Sequence, residues 1–192
     1  MIPNLLSKDG IAEYHGQVIP NPDGFFNALL TEIDWKNDEV MLFGKRIVTK
    51  RKTAWYGEKP FAYTYSKITR IALPFTHELL EIKDLVEELS GETYNSCLLN
   101  LYHDGSESMG WHSDDETEIE RFSAIASISL GAERNFSFKH KIDKTTESIA
   151  LENGSLLVMK GEIQQKWLHA IPKSAKVKTA RINLTFRKLI GN

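Results

Sequence analysis

From Thr93 onward the chain breaks into short runs with strand character: Ser96–Tyr102, Ala124–Leu130, Arg134–Lys139, Ser148–Leu151, Ser155–Lys160, Lys166–Ala170 and Thr179–Lys188. Turn formers such as Gly131-Ala132 and Glu152-Asn153-Gly154 separate them. Many short strands at close, regular spacing leave few options beyond a sandwich or a jelly roll. Before Thr93 the period changes. Asn21-Pro22-Asp23 reads as a helix start, followed by Phe25, Phe26, Leu29, Leu30 and Ile33 at helical spacing. A second helix follows Pro74 and ends near Gly91, with Leu79, Leu80, Ile82, Leu85, Val86 and Leu89 turned inward. The expectation is a helical front and a β back: α+β class, mainly β. No repeat or linker interrupts residues 1–192, so one domain is expected, with residues 93–190 as its core.

No apolar run approaches the length of a membrane span, and Met1–Gly10 has no apolar segment of the signal-peptide kind. Cys97 is the single cysteine, which removes any intramolecular disulfide or cysteine-rich zinc site and suits a reducing compartment. A cytoplasmic location is expected, or a nuclear one in a eukaryote. The formal net charge of −2 counts, as a total, against a polyanion partner, but the charge is segregated. Residues 43–70 carry eight basic side chains against Glu58 alone, and 160–192 carry eight against Glu162. Residues 93–120 carry seven acidic side chains and no basic one. If the two basic stretches meet, they form a basic face on a near-neutral protein; solvated surface lysines would look the same.

The chemistry lies in the β half. Side chains at i and i+2 of a strand share a face, so His112 and Asp114 in Gly110-Trp111-His112-Ser113-Asp114 can reach one metal. His169 in Trp167-Leu168-His169 supplies a third ligand. Two imidazoles and one carboxylate form the facial triad of non-haem Fe(II), which leaves positions open for cosubstrate and oxygen. Zinc takes similar ligands, and any of the histidines could be structural. Along Arg181-Ile182-Asn183-Leu184-Thr185-Phe186-Arg187, the arginines, Asn183 and Thr185 share one face and the apolar residues the other. Buried arginines need anions, and a dicarboxylate would serve both through guanidinium forks. Asn100 and Tyr102 repeat the pattern opposite leucines in Leu98–Tyr102.

Asn100-x-Tyr102, His112-x-Asp114, His169 and Arg181-x5-Arg187, in that order, resemble the signature of the AlkB family of Fe(II)- and 2-oxoglutarate-dependent dioxygenases. The likeness runs from about Met41 to Lys188, nearest to the eukaryotic-type DNA-repair branch. It implies a double-stranded β-helix (jelly roll) with N-terminal helices packed on one sheet and a nucleotide-recognition hairpin region. It also implies Fe(II) held by His112, Asp114 and His169, with 2-oxoglutarate as cosubstrate and O2 as oxidant. Arg181, Tyr102 and Asn100 would hold the far carboxylate of the cosubstrate, and Arg187, Thr185 and Asn183 would complete its pocket. The implied activity is oxidative demethylation of bases such as 1-methyladenine and 3-methylcytosine in alkylated DNA, single- or double-stranded, with RNA as a second candidate. Such bases are cationic, and Asp115 and Glu116 match the family's base-contacting acidic pair.

Leu42-Phe43-Gly44 resembles the finger that wedges into a duplex while a base is extruded. Tyr63 and Tyr65 resemble the segment that stacks on the flipped base, although the branch usually has Phe at the position of Tyr65. Lys50 stands where a proline usually precedes the arginine matching Arg51. No membrane and no obligate protein partner is expected. Two rivals remain: a 2-oxoglutarate oxygenase acting on a protein, lipid or small molecule, and a catalytically silent jelly roll that binds nucleic acid or a partner.

Overall fold

The computed structural model describes residues 2–42, 45–65 and 68–190, with backbone alone at the described positions within 40–46 and 63–70. In chain order the elements are β1 (Ile11–Gln17), α1 (Pro22–Glu32), β2 (Lys36–Leu42), β3 (Lys45–Gly57), β4 (Ala62–Tyr65), β5 (Ile68–Ile71), β6 (Leu73–Pro74) and α2 (His77–Ser90). There follow β7 (Ser96–Tyr102), β8 (Met109–His112), β9 (Ile125–Gly131), β10 (Arg134–His140), β11 (Thr146–Leu151), β12 (Ser155–Lys160), α3 (Ile163–Lys166), β13 (Trp167–Ile171) and β14 (Arg181–Arg187).

Two sheets face each other. The major one runs β1-β12-β9-β14-β7-β3-β2, with β6 beside β3, and the minor one runs β11-β10-β13-β8. The β back therefore forms as expected, but the front is not merely helical. The strands β1, β2, β3 and β6 all join the major sheet, and β4 and β5 pair as a separate hairpin. The spacing of α1 and α2 is plain in the sequence, whereas the charged run Lys45–Lys52 of β3 lacks the clean alternation that marks a strand.

Both helices begin where their caps require. The Asn21 side chain accepts from the Gly24 N–H at 3.2 Å, with Pro22 at the first helical position, and Thr76 accepts from the Leu79 N–H at 3.4 Å. Their apolar stripes (Leu29; Leu79, Ile82 and Val86) bury against Ile182, Leu184 and Phe186 on one face of β14. The major sheet thus has an apolar outer face under helices. Its other face turns toward the minor sheet, where Ile125, Leu157, Phe136, Phe138 and Trp167 form a second core. This geometry decides the fate of the β14 alternation: with its apolar residues committed to the helices, its polar ones must line the interior of the jelly roll.

Candidate active site

The register of the minor sheet creates the centre. On β13 and β8, His169 lies directly opposite His112, and the ring centroids are 4.3 Å apart. His169 is 5% exposed and stacks on Phe136 at 5.3 Å. The Gly110 carbonyl can only accept, so the His112 Nδ1–H donates to it at 2.8 Å, which leaves Nε2 as the free ligand atom. Asp114 corrects one expectation, since β8 ends at His112 and the carboxylate stands beyond it. Its place is fixed by other contacts: its N–H donates to Gln164 Oε1 of α3 at 2.9 Å, and Arg187 Nη2 meets its Oδ2 at 2.9 Å. Ligand atoms of His112, Asp114 and His169 all lie within 4.8 Å of one another.

The electrostatics keep this trio ready for a cation. Burial alone would raise the Asp114 carboxyl, but Arg187, His169 and His112 overcome it and hold it at about 2. Burial pushes His169 down to about 4; Asp114 opposes, while His112, Arg187 and Lys141 add to the fall. A carboxylate and a neutral buried imidazole are the forms a metal requires.

The polar face of β14 is shared across the major sheet. Arg181 lies opposite Tyr102 of β7, and Asn183 lies opposite Asn100 of β7 and Ser129 of β9. Asn183 donates to Ser127 Oγ at 2.8 Å and to the Ile128 carbonyl at 3.0 Å, and Thr185 donates to Asn183 Oδ1 at 3.2 Å. Arg181 Nη2 donates to Ser129 Oγ at 2.8 Å, whereas its buried Nε and Nη1 have no partner. Burial lowers Arg181 to about 10, with Tyr102 opposing the fall and the Arg134 charge adding to it. A fully buried cation with two unsatisfied donor atoms is the complement of a carboxylate.

Two further arginines, Arg51 and Arg134, complete this end. The guanidinium carbons of Arg51, Arg134 and Arg181 lie 5.9, 5.8 and 5.6 Å from the Tyr102 ring centroid. Arg51 is ion-paired with buried Asp38. Arg134 donates to the carbonyls of Asp104, Glu107 and Pro172 at 3.3, 2.8 and 2.7 Å. The loops it joins also meet through Gly105, where a Cβ would come 1.9 Å from the Ser174 carbonyl oxygen. The roles of Ser127 and Ser129 had a visible signal, since Ile125-Ala126-Ser127-Ile128-Ser129-Leu130 alternates like β14.

A cavity of about 280 Å³ opens from the triad. Asn100, Tyr102, Asn183, Thr185 and Arg187 line it, while Arg181 is sealed beside Tyr102. Of the acidic pair, half-buried Glu116 lines the cavity; exposed Asp115 does not, and sits 3.8 Å from Lys141 Nζ. Asp38 and Glu39 add further carboxylates to the wall. Leu42 is the last residue of β2, opposite Lys45, whereas Phe43 and Gly44 lie outside the described residues. Tyr63 and Tyr65 belong to β4, opposite Arg70 and Ile68, and their side chains lie outside what is described.

The donor chemistry defines a class. Two imidazoles and a carboxylate suit Fe(II), and the buried guanidinium with spare donors suits an acidic cosubstrate, so both groups fit the residues present. On a jelly roll, that combination belongs to the oxygenases that use iron and 2-oxoglutarate together. The 2OG-Fe(II) oxygenase superfamily model matches residues 19–187. The human alpha-ketoglutarate-dependent dioxygenase alkB homolog 3 is 37% identical, over 96% of this chain and 72% of its own length. The human DNA oxidative demethylase ALKBH2 is also 37% identical, over 88% of this chain and 69% of its own. The chain belongs to the AlkB family of Fe(II)/2-oxoglutarate-dependent dioxygenases, on the branch that holds these relatives. In fold it is similar to the solved structure of OsALKBH1, with a TM-score of 0.64 at 16% identity over 95% of this chain and 98% of that one.

Proposed function

We propose that this chain removes N-methyl groups from bases such as 1-methyladenine and 3-methylcytosine in DNA. The relatives named above support the reaction, one of them being called a DNA oxidative demethylase. The observation that carries the base class is the wall of the cavity, where Glu116 and Glu39 stand with the triad, Asp38 being paired with Arg51. Bases alkylated at these ring nitrogens are cations, and carboxylates in a partly closed site favour them over neutral bases.

When bound, Fe(II) with 2-oxoglutarate and O2 supplies the oxidant that hydroxylates the N-methyl carbon, with succinate and CO2 as coproducts. The chain's own residues do the rest. His112, Asp114 and His169 hold the metal, oriented by Gly110, Gln164, Arg187 and Phe136. Asn100, Tyr102, Arg181, Asn183, Thr185 and Arg187 would hold the cosubstrate, the spare donors of Arg181 being the complement of a carboxylate. Glu116, with Asp115, would face the cationic ring, Tyr63 and Tyr65 would stack on the extruded base, and Leu42, Phe43 and Gly44 would wedge into the duplex it leaves. The hydroxymethylated nitrogen then releases formaldehyde and the unmodified base.

The test is an assay of the iron-loaded enzyme with 2-oxoglutarate and oligonucleotides carrying 1-methyladenine, in single- and double-stranded DNA and in RNA. Formaldehyde and succinate in equal amounts are expected from DNA. Succinate formation with no loss of methyl from any oligonucleotide would reject the base substrate and favour an oxygenase for protein, lipid or metabolite.

A further inference from the structure

We propose that Trp111 and Lys139 form an outer stacking platform for the nucleobase next to the one inside the cavity, on a single strand that turns round the edge of the minor sheet. The inference rests on the nucleic-acid reading above and deepens it. The strand β8 is the edge of that sheet, and its last two side chains point to opposite faces, His112 inward and Trp111 outward. Trp111 is 43% exposed, unusual for so large an apolar group. Lys139 Nζ lies over its ring, 4.3 Å from the centre, so the plane already attracts a cation.

The register shows what surrounds the ring. Lys139 lies opposite Thr146 and Leu168, and Ser137 lies opposite Ser148, their hydroxyls 2.9 Å apart. The one charge in that row is positive; beyond it Ser113, two residues after Trp111, is bonded to Lys141 and to the carboxylate of Asp115, which Lys141 balances. An aromatic plane bordered by an ammonium and hydroxyls is complementary to a base and its phosphate. It is also continuous with the active site, because the neighbouring residue on the same strand is the ligand His112. Since β8 is an edge, a single strand can pass round it with one base inside and the next outside. A duplex cannot, because its neighbouring base stays stacked and paired.

The test measures binding of a labelled, unmethylated single-stranded oligodeoxynucleotide by anisotropy at several salt concentrations. Trp111→Ala is expected to weaken binding about ten-fold, and Trp111→Phe, which keeps a ring, to remain within about two-fold of the parent. Lys139→Gln is expected to lower the salt slope by about one phosphate contact. Parent-like affinity in Trp111→Ala would overturn the platform and leave the face to a protein partner. Because the probe carries no methyl group, the result stands whether or not the chain demethylates bases.

Discussion

Arg187 Nη2 lies 2.9 Å from Asp114 Oδ2, so the arginine that closes β14 is the counter-ion of the carboxylate in the metal triad. Asp114 is 5% exposed, and without that charge burial would work unopposed by its strongest partner. Arg187→Gln is therefore expected to weaken metal binding by about ten- to a hundred-fold, the usual effect of losing a residue that orients a ligand. Anaerobic titration with Mn(II), which reads the site without turnover, checks this; unchanged affinity would show that Asp114 needs no such partner.

The parts of this site that were legible in the sequence are those written in a period of two. Arg181 to Arg187 alternates along a central strand, so its polar face and its partners Asn100 and Tyr102 could be read directly. Arg134 could not, because its partners are main-chain carbonyls 27 to 38 residues away, which carry no side-chain signal. The Asp38–Arg51 pair was hidden likewise, spanning a hairpin between two strands whose charged sequences do not alternate cleanly. Of α1 and α2, stripe and caps were both visible; α3 is one turn long, too short for periodicity to register.

The lowered pKa values of His169 and Asp114 set an acid limit on the metal-free protein. His169 has its folded pKa lowered from 6.5 to about 4, so as pH falls through that window the unfolded chain takes up a proton that the folded one refuses. Stability is lost from pH 6.5 down to about 4, and the loss then levels off. Asp114, lowered from 3.8 to about 2, adds stability above 3.8 that disappears as pH falls toward 2. Each effect is on the order of a few kcal/mol. Urea midpoints measured between neutral and acid pH are expected to fall less steeply for His169→Gln than for the parent through the upper window.

Arg134 ties the loop before β8 to the end of β13, the two strands that carry His112 and His169. Arg134→Met leaves three carbonyls without their donor and removes one of the cations beside Tyr102. A loss of about 3 kcal/mol or more is expected. Tyr102 lines the cavity, so if it holds 2-oxoglutarate as proposed, KM for that cosubstrate is expected to rise as well. Thermal unfolding and cosubstrate kinetics test the two halves; a stability loss with KM unchanged would confine Arg134 to a structural role.

Asp38 and Arg51 form a buried pair on the cavity wall, each side chain 10% exposed. Removing either partner alone strands the other charge away from water, which costs about 3–5 kcal/mol. Replacing both at once removes that penalty. The double variant Asp38→Asn/Arg51→Met is thus expected to be more stable than the sum of the single effects by more than about 1 kcal/mol. Additive losses in chemical denaturation would mean that the two charges do not depend on one another.

Glu116→Gln keeps the shape of the side chain and deletes the charge on the cavity wall. If attraction for a cation is its function, the loss must depend on the charge of the base. On 1-methyladenine, a cation, kcat/KM is expected to fall about ten-fold, or about 1.4 kcal/mol. On 3-methylthymine, which is neutral, the change should be within about two-fold, because no charge is left unpaired. The comparison is made on one oligonucleotide sequence at one ionic strength, since added salt weakens the first effect and not the second. Equal losses on both bases would mean that Glu116 shapes the cavity rather than reading charge, and selectivity for cationic bases would then have to come from Glu39 or the stacking residues.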